Sequence, residues 1–534
     1  MKRTNYLKGL RIILAILFFV PILLYFIDFA NILPEQMHYL LHIQLMPAIL
    51  GGAIGIIIIQ LLLALILGRI YCSTFCPAGV FQDVINRIFC IGKKKKKGSR
   101  RFNYHKPYNW LRYSILGVTT VFTLLGVSEL CLLLDPYSNF GRIATNLFRP
   151  VVMGCNNLLS DLLMKMDSYA VYHVTISTVT AAGISAGAIA LIVFSVMVIF
   201  RGRLFCNTIC PIGTLLSLFS RYSLFRISFD KDTCTNCGNC EHTCKAEAIN
   251  SKNMTVDTSR CVNCFNCTSS CPKDGLKYRF ISRKNEETKK AVITAPVCDS
   301  NISVAEAKEF NSRRNFLTTS AMLAASVSVV SAFASRTVNG KKQVSHNEEK
   351  WDPLTPPGSI SLDRFKNKCT GCQICVVHCP TQVLRPTGLE YGLDYMLKPR
   401  MAYINSYCNY SCTICSDVCP VEAIKPLSKN EKETTQIGVA TFFIDRCVVS
   451  TKNQDCGACS EHCPTQAVHM VPYKGTLTIP QVNPDLCIGC GGCESICPVR
   501  PMRAILIKPN KVHKKVCKPK AQQQKKVEID DFGF

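Results

Sequence analysis

The 534-residue chain has no C-x-x-C-H stretch and no G-x-G-x-x-G turn, so neither covalent haem nor a nicotinamide dinucleotide site has a basis in the sequence. Acidic residues are scarce: 36 Asp and Glu stand against 62 Lys and Arg, a net charge of +26. What the chain has in excess is cysteine, 33 in all, and apolar residues, 48% of the total. A secreted disulfide scaffold is a poor match. Such scaffolds are short, whereas these cysteines fall into tight quartets, most of them ending in Cys-Pro. Long apolar runs with many cysteines describe a membrane protein that carries metal cofactors.

Four apolar spans, at about 10–29, 47–67, 110–134 and 177–200, are long enough for a hydrocarbon core of about 30 Å. Lys2, Arg3 and Lys8 precede the first, the lysine run 93–97 with Arg100 and Arg101 separates the second from the third, and Arg201, Arg203 and Arg221 follow the fourth. By the positive-inside rule both ends of the bundle face the cytoplasm. The lysine run therefore reads as a solvated loop that fixes topology, not as a nucleic-acid surface.

Two stretches of this bundle repeat each other without a gap: GRIYCSTFCPAG, starting at Gly68, and GRLFCNTICPIG, starting at Gly202. Two parallel repeats are expected to bring Cys72, Cys76, Cys206 and Cys210 together at the cytoplasmic face. Pro77 and Pro211 suit the first position of a helix, which leaves Cys76 and Cys210 at a helix start. Shared metal ligation, a dithiol relay and structural thiols all remain open. His42 and His173 precede the second helix of each repeat, and Asp28 and Asp135 end the first helices on the outer side. These four are the candidates for a quinol pocket. Haem b ligation by the histidines, or plain hydrogen bonding to water and headgroups, are the other readings.

Beyond the bundle, Cys234, Cys237, Cys240 and Cys244 are followed by Cys261, Cys264, Cys267 and Cys271. This is the two-cluster ferredoxin spacing, in which the last cysteine of each quartet crosses to the other cluster. Zinc sites use two separated pairs, so [4Fe–4S] suits better. Four more quartets follow: Cys369, Cys372, Cys375, Cys379; Cys408, Cys412, Cys415, Cys419; Cys447, Cys456, Cys459, Cys463; and Cys487, Cys490, Cys493, Cys497. The middle two each widen one gap. Six [4Fe–4S] clusters are expected, two cytoplasmic and four outside, although spacing alone does not pair the last four quartets. Cys90, Cys131, Cys155, Cys298 and Cys517 read as bystanders.

Between the two sets of quartets lies NSRRNFLTTSAMLAASVSVVSAFAS, residues 311–335. Its arginine pair, weakly apolar run and A-x-A ending describe a twin-arginine signal. Cluster assembly needs reduced thiols, so a sixteen-cysteine domain that works outside should be loaded and folded before export by the twin-arginine translocase. The segment then serves as a cleaved leader or as a fifth span.

In this order the motifs resemble a known arrangement. Residues 1–280 look like a NapH-type membrane quinol dehydrogenase subunit, and residues 312–510 like a NapG/MauM-type periplasmic ferredoxin, fused here in one chain. The resemblance implies a multi-pass protein of the bacterial inner membrane, in contact with lipid and the quinone pool. It would oxidise menaquinol and pass electrons to a periplasmic reductase or cytochrome, a nitrate-reductase-like system among the options. FixG/RdxA-type proteins, linked to copper reduction, oxidase assembly or redox sensing, share the first half but continue into a β-rich domain. The expected architecture is an α-helical membrane bundle with α+β ferredoxin-like domains on both sides. Its parts are the bundle (1–225), a cytoplasmic two-cluster module (226–280), a linker (281–311), the signal or fifth span (312–335), a second linker (336–362), a periplasmic four-cluster domain (363–510) and a basic tail (511–534).

Overall fold

A computed structural model describes residues 3–91, 102–127, 129–174, 180–281 and 351–518. The lysine run at 93–97, the export segment at 312–335, Cys298, most of both linkers and most of the basic tail lie outside the described residues. The described residues of 3–278 and 351–518 form one compact unit, which carries every quartet.

The helices that position the cysteines are α1 (Arg3–Ile27), α2 (Ile54–Leu67), α3 (Tyr71–Thr74), α4 (Pro77–Ile91), α5 (Asn109–Leu124), α6 (Pro136–Ile143), α7 (Ala181–Arg201) and α8 (Pro211–Ser220). Pro77, Pro136 and Pro211 each open a helix, where the missing N–H costs nothing. Asp135 caps α6 by accepting from Tyr137 N and Ser138 N, and Thr180 caps α7 through Gly183 N.

Two of the expected spans are shorter than the sequence suggests. In the second, Leu45–Gly51 ends at Gly52, whose φ of 77° only glycine takes freely, before α2 begins. In the third, α5 stops near Gly126 and resumes as Glu129–Leu134. Among the described residues two helical stretches, Tyr6–Ile27 and Ala181–Arg201, are long and apolar enough to cross a membrane.

Four helices nevertheless run between two cysteine-rich lobes. At one end of α1, Lys8 reaches Ser269 of the 226–278 lobe, while at the other the Tyr25 carbonyl lies 3.1 Å from His378 of the 351–518 lobe. These residues stand about 25 Å apart at the helical rise of ~1.5 Å per residue. The C-terminal end of α2 meets the first lobe through the Leu67 carbonyl, which accepts from Tyr278 and Asn263. Tyr108, before α5, stacks under Arg201 beside the first lobe, and Gly126 beyond α5 packs near Asn367 of the other. The start of α7 touches Gly388, and its end hands over to Arg203, whose N–H bonds the Lys245 carbonyl. The lobes therefore sit at opposite ends of the bundle.

Each lobe is built from short helices and two-stranded antiparallel ladders. Ile249–Asn250 pairs with Thr255–Val256, and in the larger lobe Leu384–Pro386 pairs with Pro399–Met401, Val468–Pro472 with Thr478–Val482, and Thr435–Phe442 with Ile505–Lys515. With so little regular structure, what these lobes share is the geometry around their cysteines.

Candidate functional site

In every quartet the third cysteine lies on a helix of four or five residues and the fourth follows at or just past its end. The helices are Asn239–Thr243, Asn266–Ser270, Ile374–Val377, Ile414–Asp417, Ala458–Glu461 and Gly492–Ile496. The second cysteine of the four regular quartets is flanked by two residues at positive φ: Asn236 and Gly238, Asn263 and Phe265, Gly371 and Gln373, Gly489 and Gly491. Left-handed residues between right-handed ones turn successive N–H groups to one side, forming the concavity that receives anions and iron–sulfur groups. A further left-handed residue stands three after the last cysteine in five quartets, at Glu247, Asp274, Gln382, Glu422 and Gln466. The sulfurs of Cys244, Cys271 and Cys463 accept N–H bonds from Ala248, Gly275 and Ala467 at 3.2–3.4 Å.

All the cysteines of the six quartets and of the two CxxxCP motifs are free thiols. Cys244 lies among Cys261, Cys264 and Cys267 and not with its own quartet, while Cys240 keeps Cys234 and Cys237 as neighbours. Gly275, which bonds the Cys271 sulfur, packs on Cys234, so Cys271 completes that second group. The larger lobe repeats the exchange twice. Cys419 sits with Cys369, Cys372 and Cys375, and Cys379 with Cys408, Cys412 and Cys415. Cys463 joins Cys487, Cys490 and Cys493, and Cys447, Cys456, Cys459 and Cys497 line one apolar cavity.

These groups fit [4Fe–4S] clusters in donor type, number and backbone cradle. Burial pushes the thiols up, with Cys261, Cys369, Cys459 and Cys490 each at about 12, so bare sites hold protons that a metal must displace. Among the described residues no three His, Cys, Asp or Glu side chains are arranged to hold a single metal ion. A cubane, larger than one ion, keeps its four ligands farther apart.

The larger lobe's groups follow an order in space. Cys372 rests on the bundle, where a Cβ at Gly141 of α6 would press on the Cys372 carbonyl, and Tyr137 has Cys372 and Cys419 beside it. The next group, with Cys408, meets the third through the bond from Cys408 N to the Cys490 carbonyl. The last group lies on the segment with exposed Asp455 and Glu461.

Cys72, Cys76, Cys206 and Cys210 are all buried and are mutual electrostatic neighbours. They lie at the smaller-lobe end of the bundle, where Arg69 bonds the Ser259 carbonyl and the Arg203 N–H bonds the Lys245 carbonyl. Ser73 and Phe75 lie alongside Arg11 and Phe18 of α1, with a Phe18–Phe75 ring separation of 4.4 Å, so the motif dips into the bundle. The reason is Arg69 and Arg203, which fold inward and bond across the pseudo-twofold: Arg69 Nη2 to the Cys206 carbonyl at 2.9 Å, Arg203 Nη1 to the Cys72 carbonyl at 2.6 Å.

Of the four quinol-pocket candidates, Asp28, Asp135 and His42 each have their own local contacts. Asp28 accepts from Ala30, Ile32 and Leu33 N and fixes the turn after α1, as Asp135 fixes the start of α6. His42 is half-buried with His38 and Glu422 near it. His173 is exposed and has no hydrogen bond, ion pair or ring contact among the described residues. Sequence reasoning missed His378. Buried where the larger lobe meets the bundle, it sets its ring nitrogens 3.1 Å from the Tyr25 carbonyl and from the Asn31 side chain, and its ring lies 4.0 Å from that of Tyr25. Its place directly before Cys379-Pro380 was the available signal.

Comparison with known proteins agrees with this chemistry. A family model described as a 4Fe-4S binding domain matches residues 47–98 and 182–231, and models described as 4Fe-4S dicluster domains match 226–272, 368–423 and 454–500. The ferredoxin-type protein NapF of Escherichia coli strain K12 is 26% identical over 151 residues, 28% of this chain and 84% of the relative. The methylamine utilization ferredoxin-type protein MauM of Methylobacillus flagellatus is 29% identical over 154 residues, 27% of this chain and 63% of the relative. MauN of Paracoccus denitrificans, also a methylamine utilization ferredoxin-type protein, is 27% identical over 201 residues, 37% and 56% respectively. No solved structure matches. The chain is an iron–sulfur electron-transfer protein related to the Nap and Mau ferredoxin-type proteins.

Proposed function

We propose that this protein sits in the bacterial inner membrane, takes electrons from menaquinol and delivers them through its larger lobe to a soluble reductase or cytochrome in the periplasm. The observation that carries the reading is the succession of thiol groups in that lobe, from the one resting on α6 through the bond from Cys408 N to the Cys490 carbonyl. Clusters held there would carry single electrons. The chain's own residues set the order, bury the thiols and bond their sulfurs.

Membrane placement is supported by the helix surfaces. Leu10, Ile13 and Leu17 of α1, Ile58, Ile59 and Leu62 of α2, Val118 and Val121 of α5, and Ile192 and Val196 of α7 are all exposed between the lobes. An apolar surface of this extent belongs in lipid. The twin-arginine segment at 312–335 would carry the larger lobe across. NapH-like quinol chemistry requires a proton acceptor, and His42 suits it: burial first, then His38, holds its imidazole below the ordinary value, so it is neutral and ready to accept at pH 7. Asp28 and Asp135 act as positioning residues through their backbone bonds.

The test uses native membranes. Menaquinol is reduced chemically, iron–sulfur EPR signals are followed, and protease is added from the outer side only. Quinol-dependent signals that the protease removes are expected. Signals that are protected and indifferent to quinol would overturn the reading.

A further inference from the structure

The quartets of the two lobes leave the bundle between them without a redox group, and it is about 25 Å deep along α1. The four thiols at Cys72, Cys76, Cys206 and Cys210 lie inside that interval. Ser73 bonds Arg11 and Phe75 packs on Phe18, which places the first motif between about 5 and 15 Å from the Lys8 end of α1.

The surroundings of these thiols are built for an anion. Arg69 is fully buried; its guanidinium bonds the Cys206 and Ser259 carbonyls, Asn207 Oδ1 at 2.9 Å and the Cys72 sulfur at 3.8 Å, and no carboxylate among the described residues pairs with it. Its Nε has no partner, and neither has the buried Nε2 of Gln82, whose oxygen accepts from the Cys206 thiol at 3.5 Å. Arg203, the symmetry mate of Arg69, shares one carboxylate, Asp83, with Arg11 and Lys245. Three buried or half-buried cations thus share a single acid, and Arg69 has none among the described residues. An unpaired guanidinium taken out of water is strongly unfavourable, and four metal-bound thiolates would supply the missing charge.

The backbone is shaped for the same purpose. The Cys210 sulfur accepts from Gly213 N at 3.3 Å, and the Cys76 sulfur from Gly79 N in the same way. A Cβ at Gly79 would overlap the Cys72 carbonyl, and one at Gly213 the Cys206 carbonyl, so each motif closes tightly on itself. Neighbours extend in both directions. Arg203 lies near Cys206 and Cys264, and Arg69 near Cys261, of the smaller lobe. Toward the larger lobe, Tyr71 lies near Cys72, Cys76 and Asp135, and Asp135 near Cys372.

We propose that Cys72, Cys76, Cys206 and Cys210 jointly hold a seventh [4Fe–4S] cluster, two ligands from each repeat, which joins the two lobes into one electron path. Each passage is one electron in and one out, with no bond made or broken. The smaller lobe then exchanges electrons with the larger across the bundle instead of standing apart from it. The idea builds on the electron-transfer reading, but its test does not depend on quinol.

Iron, acid-labile sulfide and intact mass are measured on the anaerobically purified full chain. Seven clusters, about 28 iron atoms, are expected, against about 24 for six. Cys210→Ser and Cys76→Ser should each lose about four iron and four sulfide and keep the rest. A wild-type count of about 24, unchanged in both variants, overturns the proposal, as does iron lost without sulfide. The unmodified chain alone decides the matter if a variant fails to fold. If the count is seven and quinol reduces nothing, the site stands and the quinol reading falls.

Discussion

Replacing Asp83 by asparagine tests the junction that ties the bundle to the smaller lobe. Its carboxylate lies 2.7 Å from Arg203 and 3.2 Å from Arg11 through one oxygen, and 3.4 Å from Lys245 through the other. Burial alone would raise this carboxyl, but Arg203, Lys245 and Arg11 reverse that and hold it well below the usual carboxylate range. A group whose folded value is depressed stabilises the fold above its unfolded value of about 3.9 and loses that contribution only as pH falls through the folded value. The junction is therefore constant between about pH 5 and 9. Removing one partner of a buried pair costs about 3–5 kcal/mol. Arg11 and Lys245 retain some solvent and Arg203 keeps the Cys72 carbonyl, which points to the lower end, about 3 kcal/mol. In detergent the thermal midpoint of Asp83→Asn should fall by about 3 °C, equally at pH 6 and pH 8, since the unfolding entropy of so large a unit is about 1 kcal/mol per degree. A shift below about 1 °C, or one that differs between the two pH values, would refute the reasoning.

The crossed pairing of cysteines predicts how iron losses combine: Cys369→Ser with Cys419→Ser should lose about four iron together, whereas Cys408→Ser with Cys419→Ser should lose about eight. His42→Gln should slow menaquinol-driven cluster reduction by about 100-fold or more with iron content unchanged, as expected when a proton acceptor is removed. Gly491→Ala, at φ 80° with a Cβ that would enter the Tyr403 ring, should destabilise the larger lobe by more than about 2 kcal/mol in urea unfolding. Burial holds His513 down to about 4, beside Thr355 Oγ1 at 2.8 Å, so the unfolded chain gains its proton first on acidification. Stability should fall by about 2 kcal/mol between about pH 6.5 and 4, and His513→Gln should flatten that slope.

The cysteine spacing carried the local geometry because the cradle is local. Two residues between cysteines leave room for one left-handed residue on each side of the second cysteine, and Asn, Gly, Phe or Gln fills those places in all four regular quartets. Where spacing departs, so does the backbone: Thr413 and Gly457, after the second cysteines of the irregular quartets, have φ of −116° and −112°. The pairing of the last four quartets was not readable, because it depends on long-range ladders such as Thr435–Phe442 with Ile505–Lys515, and no spacing encodes which strand returns to which.

The depth of the CxxxCP thiols was hidden for a different reason. Hydropathy counts Arg69 and Arg203 as the polar ends of spans, and from that they belong at a membrane face. In the fold both are almost fully buried and each bonds the opposite repeat's first cysteine carbonyl, so the residues that mark an edge in the sequence mark an interior in space. The repeat itself contained the clue: an arginine three residues before the first cysteine of each motif, copied with the cysteines and without a copied acid, is a charge that needs a partner the sequence does not encode.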